Sequence, residues 1–352
     1  MNRFCRPSPI QATGGLCLNS ICIFCGSSPG RDRRYEDAAR ATGCALARAK
    51  LRLIYGGGKI GLMGAVADQV LSAGGRVTGI IPRALWEREI AHEGLTELRV
   101  VEDMHQRKKV MAELADGFIA LPGGAGTLEE IFEQWTWSQL GIHAKPCGLL
   151  NVDGYFNSQI AMIERMIAEG FLSHVYAAML QVETDPNVLL ARMRAYRPPA
   201  AKWSSNNGYP APSSIRIAAA VVADEDGRVL LVRKSGTSSF MQPGGKLNAG
   251  EAAIDALRRE LREELGCLLV SSEFLGFFAA PAANEPMHSV EATLFQVVVS
   301  GQPEPQAEIE EVAWVDPSST GTLQLAPLTR DHVFPLVLLR RSSRNDLPAK
   351  SS

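Results

Sequence analysis

Residues 245–267 read GKLNAGEAAIDALRRELREELGC, and this stretch decides how the second half of the chain is understood. Glu260, Glu263 and Glu264 recur at spacings of three and four, which places them on one face of a predicted helix. Like charges that close destabilise a helix unless something positive joins them. A hard divalent cation, which takes oxygen ligands, is the natural counter-charge. On a wheel of about 100° per residue, Ile254, Leu257, Leu261 and Leu265 form an apolar stripe. Arg258 and Arg262 flank it on one side, Glu260 and Glu264 on the other, with Glu263 further round. Glu264 falls at the edge of the stripe, where a carboxylate is costly unless paired or metal-bound. Ala252, Ala253 and Ala256 share the acidic sector, and their small size is expected to leave room for a ligand. The preceding Gln242-Pro243-Gly244-Gly245 turn can bring backbone close to the helix, and Gly266 is placed to cap its C-terminus. By charge pattern alone, a surface helix laced with Glu–Arg ion pairs is an equal reading.

Outward from this helix, residues 215–223 and 228–233 flank Asp226-Gly227, a hairpin-like turn. Further apolar strands are expected over 274–280, 289–299 and 311–315, giving a mixed α/β domain over 215–340 with a frayed polar tail over 341–352. Upstream, residues 197–214 (RPPAAKWSSNNGYPAPSS) have no hydrophobic period and read as a linker. The first half alternates strands (20–25, 51–55, 76–81, 117–121, 146–151) with helices (35–50, 62–73, 127–140, 156–169). That alternation predicts a domain over 20–196 built on a parallel sheet flanked by helices, with ligands beyond the carboxyl ends of its strands. Residues 1–19 are expected to be a disordered lead.

The 352 residues suffice for two such domains. A formal charge of −2 gives no general pull toward nucleic acid or anionic membrane, so neither is expected as a partner. No run of about 18 apolar residues exists, and the N-terminus lacks the apolar core of a signal peptide. Seven cysteines without framework spacing fit a reducing cytoplasm. Cys22 and Cys25 form a C-x-x-C, yet they sit in a strand-like run, where positions three apart point to opposite faces.

The acidic block also matches G-x5-E-x7-R-E-U-x-E-E-x-G-U at Gly245, Glu251, Arg259, Glu260, Leu261, Glu263, Glu264 and Gly266, departing only at Cys267. It resembles the Nudix box. The resemblance implies an α/β/α sandwich and hydrolysis of a nucleoside diphosphate derivative or a nucleoside triphosphate. Glu260, Glu263 and Glu264 would hold Mg²⁺ or Mn²⁺, with Glu251 and Arg259 as a supporting pair. Glu308, Glu310 and Glu311 are candidates for a general base by position only. Residues 281–292 would form part of the substrate pocket.

Two glycine loops mark the first half. Gly56, Gly57, Gly58 and Gly61 lie between a strand and a helix, where backbone amides favour phosphate. The acidic residue expected of a dinucleotide site about 20 positions on is missing, so a monophosphate fits better. The second loop, Pro122-Gly123-Gly124-Ala125-Gly126-Thr127-Leu128-Glu129-Glu130, also joins strand to helix. Thr127 and Glu130 have capping-box spacing, which would give Glu130 a purely structural role. Met104-His105-Gln106-Arg107-Lys108 adds two cations near the same sheet end.

With CGSSPG, GGGKIGLMG and WTWSQLGIHAKPCGLLNVDGY, these motifs resemble the LOG family, once widely labelled lysine decarboxylases, over about residues 20–195. The resemblance implies a Rossmann-like phosphoribohydrolase that splits a nucleoside 5′-monophosphate, AMP or a cytokinin ribotide, into base and ribose 5-phosphate without a cofactor. Arg107 and Glu130 would be the catalytic pair. Glu89, Lys108, Gly124, Ala125, Gly126, Thr127, Leu128, Glu129 and Thr136 would line the nucleotide site. Such proteins are dimers or larger, so a homodimer or higher homo-oligomer is expected. Nothing reads as a pyridoxal-phosphate lysine site, and Gly26-Ser27-Ser28-Pro29-Gly30 has no acid and His partners in pattern for a serine hydrolase. His92, His105, His143 and His174 show no metal spacing. The combined expectation is a bifunctional nucleotide hydrolase; a nucleotide-binding sensor without turnover is the alternative.

Overall fold

Strand β1 (Ser20–Phe24) is buried along its whole length. Ile21 and Ile23 face one core cluster while Cys22 and Phe24 face another, so this strand is covered on both sides, as a parallel sheet requires. Cys25 falls in the cluster opposite Cys22, in keeping with their spacing. The computed structural model describes residues 18–88, 91–202, 214–285 and 288–345, without the side chains of 344 and 345. Most of the expected lead and linker lies outside the described residues.

After β1 come α1 (Arg33–Arg48), β2 (Arg52–Tyr55), α2 (Gly61–Ser72), β3 (Val77–Pro82), α3 (Arg83–Trp86) and β4 (Glu97–Val101). The second part of this half contains α4 (Met104–Leu114), β5 (Phe118–Ala120), α5 (Ala125–Gln139), β6 (Cys147–Leu150), α6 (Asn157–Ala168), α7 (His174–Ala177), β7 (Leu180–Glu183) and α8 (Pro186–Ala195). The seven strands pair in parallel in the order β4-β3-β2-β1-β5-β6-β7. The order reverses between β1 and β5, and a ligand crevice belongs outside the carboxyl ends of the strands there. Elements β4, α4, β7 and α8 were not expected from sequence. Strand β4 is a half-exposed edge and α4 (MHQRKKVMAEL) is mostly polar, so neither carries a clear apolar period.

The second half contains β8 (Ser214–Val222), β9 (Val229–Lys234), β10 (Gly244–Lys246), α9 (Ala253–Leu265), β11 (Leu268–Pro281), β12 (Ser289–Ser300), β13 (Ile309–Val315) and α10 (Phe334–Asn345). A four-stranded mixed sheet runs β10-β8-β12-β11, and β13 pairs with β9 separately. The Asp226-Gly227 turn forms, with Gly227 at φ +78° and its N–H donating to the Asp224 carbonyl. The hairpin expectation needs correction, however: beyond an Ala223–Val229 bridge, β8 and β9 part into different sheets. Residues 341–345 of the expected frayed tail are helical instead, and the rest of it lies outside the described residues. Helix α10 continues to Asn345, and Arg341 reaches Asp316 at 3.3 Å.

The halves meet through a buried junction. Glu183, at the end of β7, has a fully buried side chain held by Arg192 at 2.6 Å and by Arg340 of α10 at 2.8 Å. Arg340 also pairs with Glu273 of β11 at 2.7 Å. His174 packs edge-on against Phe277.

Candidate active sites

Arg107 and Glu130 come from different helices and meet at the sheet's reversal point. Their side chains are only 12% and 11% exposed, and Nη2 of Arg107 lies 3.4 Å from Oε1 of Glu130. Burial raises the pKa of Glu130, an effect that the Arg107 charge opposes. The pair lines a cavity of about 310 Å³ together with Gly56, Gly58, Gly124, Gly126, Thr127 and Glu129. Neither α2 nor α5 has a side-chain cap; the Leu62 N–H of α2 donates to the Gly26 carbonyl and the Thr127 N–H of α5 to the Gly124 carbonyl, each at 3.1 Å, so the remaining first-turn amides are the ones that can meet an anion.

Glycine is needed here for close approach. A Cβ on Gly56 would stand 2.2 Å from Arg107 Nη2, and one on Gly123 would stand 2.1 Å from Thr127 Oγ1. A Cβ on Gly61, at φ +61°, would clash with the Ser27 backbone, so glycine there lets the first loop close against residues 26–28. Gly57, at φ +77°, packs against Ile81 and Leu98.

The capping-box expectation is overturned. Helix α5 begins at Ala125 with Gly124 as its N-cap, so Thr127 lies inside the helix and Glu130 turns into the cavity. Lys108 sits behind the cavity and pairs with Glu129 at 2.5 Å and Glu133 at 3.0 Å. Ala125 is exposed at the start of α5, Leu128 packs partly into the core, and Thr136 is exposed further along the helix. Glu89 lies outside the described residues. Ser27 and an apolar wall of Met63, Ile81 and Leu85 also line the cavity, and no local pattern marks them for it. Only the parallel topology brings them there.

In the second half, Arg259 grips Glu251 with two bonds, Nε–Oε1 at 3.1 Å and Nη2–Oε2 at 3.0 Å. That guanidinium holds the Glu251 pKa low. Its Nη1 donates to Glu260 at 2.6 Å and lies 3.7 Å from Glu263. A Cβ on Gly245 would come within 2.2 Å of the Glu260 carboxyl carbon, so the box glycine makes room for that side chain. Gly266 ends α9 in the left-handed region at φ +66°.

Glu264 is 2% exposed, and burial raises its pKa. Its Oε1 accepts from Lys234 at 2.9 Å, while Oε2 is buried without a hydrogen-bond partner. An orphaned buried carboxylate oxygen beside other carboxylates suits a hard divalent cation. Among the described residues, however, no three acidic, His or Cys side chains are already gathered tightly enough to hold one. Room beside the alanines is found on the side facing the first half, where Ala252 and Ala253 line a cavity of about 170 Å³ with Glu251. Ala253 and Ala256 are buried in the core, and their small size lets α9 approach the sheet.

A cavity of about 490 Å³ lies beside this helix, lined by Gly245, Glu260, Lys234 and Glu308, and by 281–285 and Val290 of the expected pocket segment. Glu308 is 3.3 Å from Lys234, whereas Glu310 and Glu311 are both tied to Arg233 at 2.8 Å. Sequence reasoning missed Lys234. The signal was present, since Leu230, Val232 and Lys234 alternate onto one face of β9 and the first two pack in the cluster that includes α9.

A family model described as "Possible lysine decarboxylase" matches residues 63–193, and one described as "NUDIX domain" matches residues 213–337. A cytokinin riboside 5′-monophosphate phosphoribohydrolase of Rhodococcoides fascians is 47% identical over 194 residues, covering 54% of this chain and 98% of that protein. The Arabidopsis thaliana protein of the same name designated LOG3 is 49% identical over 178 residues, covering 51% of this chain and 83% of its own. The solved structure of a MutT protein from Methanosarcina mazei is 22% identical, covers 40% of this chain and all of that chain, and has a TM-score of 0.32. This chain is a hydrolase that belongs to the LOG family of phosphoribohydrolases and carries a NUDIX domain in its second half.

Proposed function

We propose that the chain is a bifunctional nucleotide hydrolase. Its first pocket cleaves the N-glycosidic bond of a nucleoside 5′-monophosphate, AMP or a cytokinin ribotide, to free base and ribose 5-phosphate. The observation that carries this reading is the buried Arg107–Glu130 pair in a cavity edged by two helix N-termini without side-chain caps. Departure of the base leaves an oxocarbenium-like sugar. Glu130 stabilises that cation and guides water, as carboxylates do in glycoside hydrolysis generally. The amides at the starts of α2 and α5 hold the 5′-phosphate, and Arg107 fixes the position of Glu130. Thr136, exposed on α5, meets a nucleotide only if a second copy of the chain packs there, which favours a homodimer.

The second pocket hydrolyses a nucleoside diphosphate derivative or a nucleoside triphosphate. Glu260, Glu263 and Glu264 would hold Mg²⁺ or Mn²⁺, which supplies charge neutralisation of the pyrophosphate and an activated water. Arg259 orients Glu260 through its grip on Glu251, and Glu308 is the nearest candidate for a base. The monophosphate released is of the class that the first pocket takes, so the two reactions can run in sequence.

Product assays on single-site variants test this. Glu130→Gln should abolish release of adenine from AMP, measured with EDTA present, and keep the metal-dependent activity. Glu263→Gln should do the reverse. Tight AMP binding by calorimetry with no free base from the parent protein would point instead to a sensor.

A further inference from the structure

The acidic patch on α9 is neutralised by two tethered cations of unequal anchorage. Arg259 serves Glu260 and Glu263 and is fixed by its two bonds to Glu251 and a third to the Lys246 carbonyl at 3.2 Å. Lys234 serves the other side. Its ammonium lies 2.9 Å from Glu264 and 3.3 Å from Glu308, at the wall of the same cavity. Glu264 is almost fully buried, so its charge needs a counter-ion close at hand. An ammonium on a flexible four-carbon stem can leave that position, whereas a clamped guanidinium cannot do so without breaking its own bonds.

We propose that Lys234 is a built-in cation that stands in for the divalent ion at Glu264 and Glu308, and that metal binding displaces it. This rests on the metal reading of Glu260, Glu263 and Glu264 given above. Lys234 is a positioning residue: it holds the buried Glu264 carboxyl in place before the metal arrives, and it competes with the metal for the same oxygens. The exchange needs no proton transfer, since one cation replaces another at the same carboxylates. It also accounts for the absence of a preformed carboxylate cluster among the described residues, because two internal cations divide the acids, Arg259 holding Glu260 and Glu263 and Lys234 holding Glu264 and Glu308.

Mn²⁺ binding by calorimetry and thermal unfolding with and without Mn²⁺ test this on the full chain. Lys234→Met removes the competitor. It should lower the unfolding temperature in EDTA, recover most of that loss on adding Mn²⁺, and tighten the Mn²⁺ Kd on the order of tenfold. Lys234→Arg, which keeps the charge, should stay within about twofold of the parent. An unchanged or weaker Mn²⁺ Kd in Lys234→Met overturns the proposal. Should that variant fail to fold, the parent protein gives a second readout. Acylation of Lys234 by an amine-reactive ester, followed by mass spectrometry, should rise when Mn²⁺ is added, and an unchanged rate overturns the proposal. A parent protein that binds no Mn²⁺ overturns the metal reading itself, and a parent whose Mn²⁺ affinity survives Glu263→Gln intact places the ion elsewhere.

Discussion

The two pockets solve the same electrostatic problem with opposite architectures. In the first, Arg107 of α4 and Glu130 of α5 come from separate helices, and glycine packing sets the distance between them. In the second, Arg259 and its carboxylates come from one helix and the loop before it, so their spacing follows from the sequence. The first pair depends on the whole sheet; the second depends mainly on one helix. A charge pair assembled across elements is therefore more sensitive to a small change in backbone packing than one assembled along a helix.

The largest expected effect tests that sensitivity. Gly56→Ala places a methyl where Arg107 Nη2 now lies, and the flexible end of that side chain, not the backbone, must move. AMP cleavage should fall about a hundredfold in kcat/KM, while metal-dependent hydrolysis stays at the parent value. Equal activity in both assays would break the comparison, because Arg107 would then keep its geometry without the glycine.

A smaller effect is expected at the junction, which ties the two architectures together. Arg340→Met leaves the buried Glu183 with Arg192 alone and Glu273 without its guanidinium. Stability should fall by about 2 kcal/mol, read from urea unfolding. A variant as stable as the parent would show that Arg192 by itself neutralises Glu183.

The smallest effect concerns pH, because two groups at the junction oppose each other. Glu164, pushed up to about 7 by burial, and His174, pushed down to about 4 by burial, both line an interdomain cavity. Arg165, Arg216 and Glu251 line it too, and the Arg216 charge also acts on Glu291. The folded pKa of Glu164 is raised, so its contribution is fully present when it is protonated and fades as pH rises from the ordinary carboxyl value through about 7. The folded pKa of His174 is depressed, so its contribution is present above the ordinary imidazole value and fades as pH falls toward about 4. Over the mildly acidic range the two slopes offset. Urea midpoints at about pH 5 and about pH 7 should therefore differ little in the parent. Glu164→Gln should become relatively less stable at the lower pH, and His174→Gln relatively less stable at the higher. Parallel behaviour of both variants would refute the opposition.

Much of this was legible in the chain. The apolar stripe of α9 put Glu264 at the core edge, where it lies, and β-α alternation announced the parallel sheet. The partners β8 and β9 take were not legible, because a local turn fixes a chain reversal but not which strands pair beyond it. Glu130 shows the same limit. Its spacing from Thr127 suits a cap, yet the helix starts two residues earlier and turns it inward.

The acidic face of α9, its glycine stop and the two glycine loops are written in the chain itself. These follow from helical and strand periodicity and from backbone sterics, which act over a few residues. The tertiary structure alone decided which cation meets which carboxylate: Arg107 with Glu130, Lys234 with Glu264, Arg340 with Glu183. Such pairs join elements far apart in the chain, and their distance is set by how sheets and helices pack, which no local period records.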